Sequence, residues 1–127
     1  MFCRGGRPWI SLLFGYFAKY MKNATTRARY AARAKVMKAL AHPTRLFIVD
    51  QLAEGPRCVC ELTELVGADA STVSRHLSVL REAGILDDDK HGNQVFYSLR
   101  VPCVLNWYSC VAGVLDAEAK RKVAAAR

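Results

Sequence analysis

Two thiols stand one residue apart at Cys58-Val59-Cys60 in this 127-residue chain. Thiolates select soft ions such as As(III), Sb(III), Cd(II) and Pb(II), and a thiol pair can also oxidise instead of binding metal. A regular helix sets residues two apart about 200° from each other. Cys58 would then face the apolar side with Val59 and Leu62 while Cys60 faces away. Both sulfurs can grip one ion only where the helix start is frayed or becomes so. Cys3, Cys103 and Cys110 bring the cysteine count to five. An odd count without a secretory context argues against a disulfide framework, and in a reducing cytosol the thiols stay free to bind metal or react. Cys103 and Cys110 are seven residues apart, about 10.5 Å along one helix, which is too far to share a small ion within one chain. Across an antiparallel helix pair in a dimer, Cys103 of one chain would meet Cys110 of the other. The other reading is that both are small buried hydrophobes, as cysteine commonly is.

The pattern does not favour an enzyme. No cysteine is followed six positions later by arginine, as a phosphate-type oxyanion loop would want, and there is no Cys-x-x-Cys. A thiol enzyme such as an arsenate reductase is therefore not expected, and no cofactor is required.

The elements that must position these groups follow from periodicity. Residues 24–41 are rich in Ala, Arg and Lys, good helix formers, with Val36, Ala39 and Leu40 as a short apolar stripe. His42-Pro43 stops that helix, because the residue before proline avoids helical geometry, and Pro43 suits the first turn of the next. Arg45–Leu52 is largely apolar and predicts a helix buried on more than one side, ended by Gly55-Pro56. A third helix is expected from about Cys58 to Val66, with Val59, Leu62, Leu65 and Val66 on one side and Gly67 as its stop. Asp69 or Ser71 can cap a fourth helix reaching about Ala83, with Val73, Leu77 and Leu80 buried at i, i+4, i+7 and Gly84 after it. Two short helices joined by a glycine-containing turn, the second apolar behind and polar in front, form the helix-turn-helix pattern. Ile85-Leu86 and Val95–Leu99 read as short strands around a turn over Asp87–Gln94, which makes a wing. Pro102 opens a last helix through roughly Val123. Its two adjacent apolar faces carry Cys103, Trp107, Cys110 and Val114 on one, and Val104, Tyr108, Val111 and Leu115 on the other. One domain cannot cover so wide a stripe, and the surplus suggests a homodimer interface. The fold class expected is thus mainly α with a small β-hairpin, a homodimeric winged helix-turn-helix.

Charge is unevenly placed. Of 19 basic side chains, eight fall in residues 1–35 together with no acid, which leaves 11 basic against 11 acidic side chains over residues 36–127. A net charge of +8 favours a polyanionic partner, but the excess belongs to the N-terminal arm and not to the reading head. The early basic patch and short apolar run in residues 1–20 resemble a signal peptide. Gly15 interrupts the run and no small-residue cleavage site follows, so a start-site extension or a loosely packed helix is the first expectation and an export signal the second. No run of eighteen apolar residues exists, so no membrane span is expected.

These runs resemble the ArsR/SmtB family of winged-helix metalloregulatory repressors. The matching stretches are Met37–Leu52 (MKALAHPTRLFIVDQL), Cys58–Leu65 (CVCELTEL), Ser71–Leu86 (STVSRHLSVLREAGIL) and Gln94–Leu99 (QVFYSL). The resemblance covers residues 33–115. It implies a cytoplasmic homodimer that sits on double-stranded operator DNA near its own gene and leaves when a toxic ion binds. Arsenic- and cadmium/lead-responsive members carry Cys-x-Cys at the start of this helix. Some arsenic members have a third cysteine three residues after the second, where this chain has Thr63. Cadmium/lead members add cysteines from an N-terminal arm, where this chain offers only Cys3. Zinc and nickel members use His and carboxylates on the last helix, and here that helix has no His and only Asp116 and Glu118.

The chain is therefore expected to be a repressor induced by As(III) or Sb(III) through Cys58 and Cys60, with Cys103, Cys110 and Cys3 as further candidate ligands. The alternatives are a Cd(II)/Pb(II)-responsive repressor, a thiol redox-sensing repressor, and a constitutive DNA-binding module with inert cysteines. Arg75 is the base-reading candidate, since arginine matches the major-groove acceptors of guanine; a phosphate contact or a solvated face is the competing role. Ser71, Thr72 and Ser74 suit phosphates or base edges, against capping and solvation. His76 suits DNA or a structural hydrogen bond. Lys90, His91, Asn93 and Gln94 would touch backbone or minor groove, although Asp87-Asp88-Asp89 in the wing would repel phosphate. The domains expected are a basic extension over 1–32, the winged domain over 33–115, and the end of the last helix with a tail over 116–127.

Overall fold

The computed structural model describes Lys19 and residues 22–126. The chain divides into two units, Met1–Met37 and Lys38–Arg127. In the first unit the described chain is chiefly the N-terminal part of helix α1 (Ala24–Leu40), whose residues up to Lys38 are almost all exposed. Cys3 and the signal-like run of residues 1–18 lie outside the described residues.

The second unit takes the end of α1 and continues through α2 (Pro43–Gln51), a 3-10 turn (Leu52–Glu54), β1 (Arg57–Cys58), α3 (Val59–Val66), α4 (Ala70–Glu82), β2 (Leu86–His91), β3 (Gln94–Leu99) and α5 (Val104–Ala125). The strands form an antiparallel sheet in the order β1-β3-β2. Its core is the buried apolar stripe of α4, Val73, Leu77 and Leu80, set against Ile48, Leu62 and Leu86, all within 1% of full burial. Each such side chain contributes about 1.5–3 kcal/mol on leaving water.

Local chemistry sets the boundaries. His42 caps α2 through Nδ1, which accepts from the Thr44 N–H at 3.2 Å, and Pro43 occupies the first turn. Gly67 ends α3 at φ +70°, the left-handed region where a side chain is strained. Asp69 then caps α4, accepting from the Thr72 N–H at 3.0 Å.

Several expectations are corrected. α3 begins at Val59 rather than Cys58, α4 ends at Glu82, and α5 begins at Val104 rather than Pro102. The sheet has three strands instead of two, because Arg57 and Cys58 pair with Tyr97 and Phe96 of β3. The wing strands are longer than expected and the turn shrinks to Gly92-Asn93, so Asp87-Asp88-Asp89 lie inside β2. Ladder pairing outweighs the weak strand preference of aspartate. Leu65 and Phe47, expected in the core, are exposed.

Candidate functional site: a cysteine pair at a helix cap

Cys58 belongs to two elements at once. It closes β1 in register with Phe96, and it is the N-cap of α3 with an extended backbone. Its Sγ accepts from the Glu61 N–H at 3.3 Å, while the Glu61 Oε2 accepts from the Cys58 N–H at 3.2 Å. This reciprocal pair is a capping box, with a sulfur in the place usually held by a serine or threonine oxygen. Because Cys58 lies outside the helix, the 200° divergence of helical neighbours does not apply to it. The Cα atoms of Cys58 and Cys60 are 5.3 Å apart and the two sulfurs are joined as a disulfide. The expectation of free thiols is thereby corrected for this pair: an extended cap residue turns its sulfur toward that of Cys60 without fraying the helix. Cys58 is buried and Cys60 exposed, so the pair has one solvent-facing sulfur and one set in the fold.

Cys103 and Cys110 are free and exposed in the single chain, which also exposes Trp107 and Val114 of α5. Among the described residues no group of three or more His, Cys, Asp or Glu side chains could hold a metal ion. The cysteine pair that the structure brings together is Cys58 with Cys60.

On α4, Ser74 and Arg75 are exposed. The Ser71 hydroxyl donates to Asp69, and the Thr72 hydroxyl donates to Asp69 Oδ1 at 2.7 Å. These bonds, Ser71 first, hold the Asp69 carboxyl well below the usual carboxylate range. Both hydroxyls are thus engaged in capping. His76 is half-buried, with its ring 4.6 Å from that of His42 and its Nδ1 3.5 Å from the Arg45 guanidinium. Desolvation first, then His42 and Arg45, lowers its pKa. Arg45 also donates from Nε to the Ala39 carbonyl and from Nη2 to the Lys38 carbonyl at 3.2 Å, bracing the end of α1 against α2.

Lys90, His91, Asn93 and Gln94 are all exposed on the wing. Each acid of the wing has a basic side chain beside it: Asp88 pairs with Arg81 at 2.9 Å, Asp89 lies 2.9 Å from the His91 ring nitrogen Nε2, and Asp87 lies 3.8 Å from Arg100. On α5, Trp107, Val111, Val114 and Leu115 are exposed. Leu46, Trp107, Tyr108, Val111, Ala112 and Leu115 line an apolar hollow of about 250 Å³. The Tyr108 hydroxyl donates to the Leu46 carbonyl at 3.0 Å. Burial, then the Asp50 charge, pushes its pKa up to about 12.

Sequence reasoning missed Glu61, Arg45 and His42. A glutamate three residues after a cap position was the available signal for Glu61, hidden because cysteine is not a usual cap. The cluster of Arg45, His42 and His76 joins two helices far apart in sequence, and no local pattern marks it.

The helix pair α3–α4 with its three-stranded wing defines a winged helix-turn-helix protein. The family model described as "Bacterial regulatory protein, arsR family" matches residues 42–88. The chain is 45% identical over 84 residues to the arsenic resistance transcriptional regulator ArsR1 of Pseudomonas putida, covering 65% of each. It is 37% identical over 87 residues to the uncharacterized HTH-type transcriptional regulator Rv0081 of Mycobacterium tuberculosis, covering 68% of this chain and 76% of that one. The crystal structure of Rv0081 superposes with a TM-score of 0.66 at 35% identity, covering 74% of this chain and 95% of that one. A homodimeric winged helix-turn-helix DNA-binding domain of Mycobacterium bovis, solved by NMR, gives a TM-score of 0.66 at 30% identity over 74% of this chain and 87% of that one. The chain belongs to the arsR family of bacterial regulatory proteins. It spans 55% to 65% of the length of several curated relatives that match it at 42% identity or more. Among the described residues, no helix is long and apolar enough to cross a membrane.

Proposed function

We propose that this chain is a repressor that grips operator DNA through α4 as a homodimer and lets go when reduced Cys58 and Cys60 bind As(III) or Sb(III). The observation that carries this reading is the meeting of both sulfurs at the cap of α3, one helix below the reading helix. Similarity to a regulator named for arsenic resistance supports the choice of ion, and Cd(II) or Pb(II) suits the same donors. The exposed apolar face of α5 is the surface a second copy would cover.

The proposed mechanism runs through the cap. The Cys58 sulfur accepts the Glu61 N–H even while bonded to Cys60, and it is the sulfur that would bind the ion, so ligation would act by drawing the cap acceptor out of place. A lost polar cap costs a helix about 0.5–2 kcal/mol. α3 packs on α4 through Leu62, so a shift at the cap reaches the reading surface. Induction requires that the ion bind the released form more tightly than the DNA-bound form. Arg75 and Ser74 would meet the major groove, and Lys90, Asn93 and Gln94 the backbone beside it.

A second reading is favoured by the disulfide. A hydroperoxide would oxidise the Cys58 and Cys60 thiols to the disulfide, giving an alcohol and water, and the disulfide form would be the one that changes DNA affinity. The test is fluorescence anisotropy of a labelled duplex from the region upstream of its own gene, with protein reduced, freed of reductant and kept anaerobic. Release by arsenite in wild type, lost in Cys58→Ser and in Cys60→Ser, supports the first reading. Release by hydroperoxide without release by arsenite supports the second. Retained arsenite release in both variants overturns the assignment of the site.

A further inference from the structure

All of the net charge of this chain comes from residues 1–35, since residues 36–127 balance 11 basic side chains against 11 acidic ones. The winged unit therefore brings no net attraction to a polyanion, and the acids of its wing stand beside the groups that would approach DNA. A protein that binds a duplex draws most of its non-specific affinity from cations on phosphates. That attraction has to come from elsewhere in the chain.

Helix α1 carries four of the eight cations of residues 1–35. Arg27, Arg29, Arg33 and Lys35 are all exposed, and the helix contains no acid. Among the described residues none of the four has a carboxylate partner. Arg29 and Arg33 stand at i, i+4, where like charges destabilise a helix by about 0.2–0.5 kcal/mol. Arg33 lies over the Tyr30 ring at 5.4 Å, which restrains one guanidinium without neutralising it. The alanine-rich stretch keeps the segment helical despite this repulsion. The four cations span eight residue steps of α1, about 12 Å, alongside which a duplex presents one phosphate charge per about 1.7 Å. At about 100° per residue Arg29 and Arg33 share one side of the helix and Arg27 and Lys35 the other, so a duplex lying along either side meets two exposed cations and no acid.

We propose that α1 is a docking surface for the sugar-phosphate backbone of duplex DNA, engaged without regard to base sequence. It would hold the protein on DNA while α4 reads. The inference rests on the proposed function for its choice of polyanion, and the experiment separates the two.

The full chain with Arg27→Gln, Arg29→Gln, Arg33→Gln and Lys35→Gln together keeps good helix formers while removing four charges. Binding to the upstream duplex and to a random-sequence duplex of equal length is measured by anisotropy across a salt series. Every phosphate that is no longer neutralised lowers the slope of log K against log salt by about 0.9, so the two met by one side of α1 lower it by about 1.8 per chain. The expected result is a shallower slope and weaker binding on both duplexes, with the ratio between them unchanged. A companion variant with the three arginines changed to lysine should keep the wild-type slope. Helicity by circular dichroism checks that the glutamine variant is folded. An unchanged slope in a folded glutamine variant overturns the inference. So does an unchanged slope on DNA accompanied by lost binding to phosphatidylglycerol vesicles, which would make the partner a membrane surface. Wild-type protein that binds both duplexes equally, with the slope still falling in the variant, overturns the operator reading and leaves this one standing.

Discussion

Two substitutions separate the capping role of Cys58 from its proposed role as a ligand. In reduced protein, Cys58→Ala removes the acceptor for the Glu61 N–H, which the structure places 3.3 Å from Sγ. Half of the capping box is lost, and the cost is that of a missing cap, about 0.5–2 kcal/mol. The bond is longer than an oxygen cap would make, which points to the lower half of that range. Cys58→Ser restores an oxygen acceptor of the preferred cap type but no soft donor. Its stability should stay within a few tenths of a kcal/mol of wild type, because the buried hydroxyl keeps the Glu61 N–H as its partner. In a unit of this size, 1 kcal/mol moves Tm by about 4–8 °C. Thermal unfolding by circular dichroism, in reducing buffer, should therefore rank wild type and Cys58→Ser together, above Cys58→Ala. Arsenite release from DNA should be lost in both variants. Equal loss of stability in the serine and alanine variants would refute the capping argument. Arsenite release by Cys58→Ser would refute the ligand argument while leaving the cap intact.

The pKa of His76 is lowered by desolvation first, then by His42 and Arg45. A depressed folded pKa means the unfolded chain takes the proton first, so stability present above about pH 6.5 is lost as pH falls below it; His76→Gln should flatten that acid limb in urea titrations at stepped pH. Tyr108 runs the opposite way: its folded pKa is pushed up to about 12, so its contribution is full below about pH 10 and lost as pH rises toward the folded value. Tyr108→Phe, which leaves the Leu46 carbonyl without its donor, should cost about 0.5–1.5 kcal/mol and remove that alkaline loss. Gly67→Ala meets no atom within 4 Å of its new Cβ, but at φ +70° it should cost about 1–2 kcal/mol without altering the response to arsenite. Peroxide-treated protein should ignore arsenite until it is reduced, since both sulfurs are then bonded to each other; a full arsenite response from the oxidised form would contradict this.

What was readable from residues alone was what depends on neighbours in sequence. The stripe Val73, Leu77, Leu80 and its bounding Asp69 and Gly67 follow from a helical period and short-range capping, and the structure has them where the pattern put them. The overly wide apolar surface of the last helix was equally visible, and Trp107, Val114 and Leu115 do stand exposed. The parts that were not readable depend on pairing across the fold. A two-residue strand at Arg57-Cys58 has no periodicity of its own and exists because β3 lies beside it. Three consecutive aspartates argue for a turn until Arg81, His91 and Arg100 are brought alongside them. Cys58 was misplaced for the same reason. Read as helical, it diverges from Cys60; read as the last residue of a strand and the cap of a helix, it converges on it.

That position also bounds how strongly a bound ion can act. A coupling energy drawn from one cap, about 0.5–2 kcal/mol, changes DNA affinity by roughly 2- to 30-fold, since about 1.4 kcal/mol is a factor of ten. On the proposed homodimer two caps act together, and the same range becomes about 5- to 700-fold. Coupling between sites typically amounts to about 1–3 kcal/mol, which lies within reach of two caps and at the upper limit of one. A Cys58→Ser subunit paired with a wild-type subunit would therefore respond to arsenite with roughly the square root of the full effect. If it responded fully, the ion would have to act through something other than the caps of two separate helices, and the hollow between Leu46 and α5, which a second copy would fill, is the next place to measure.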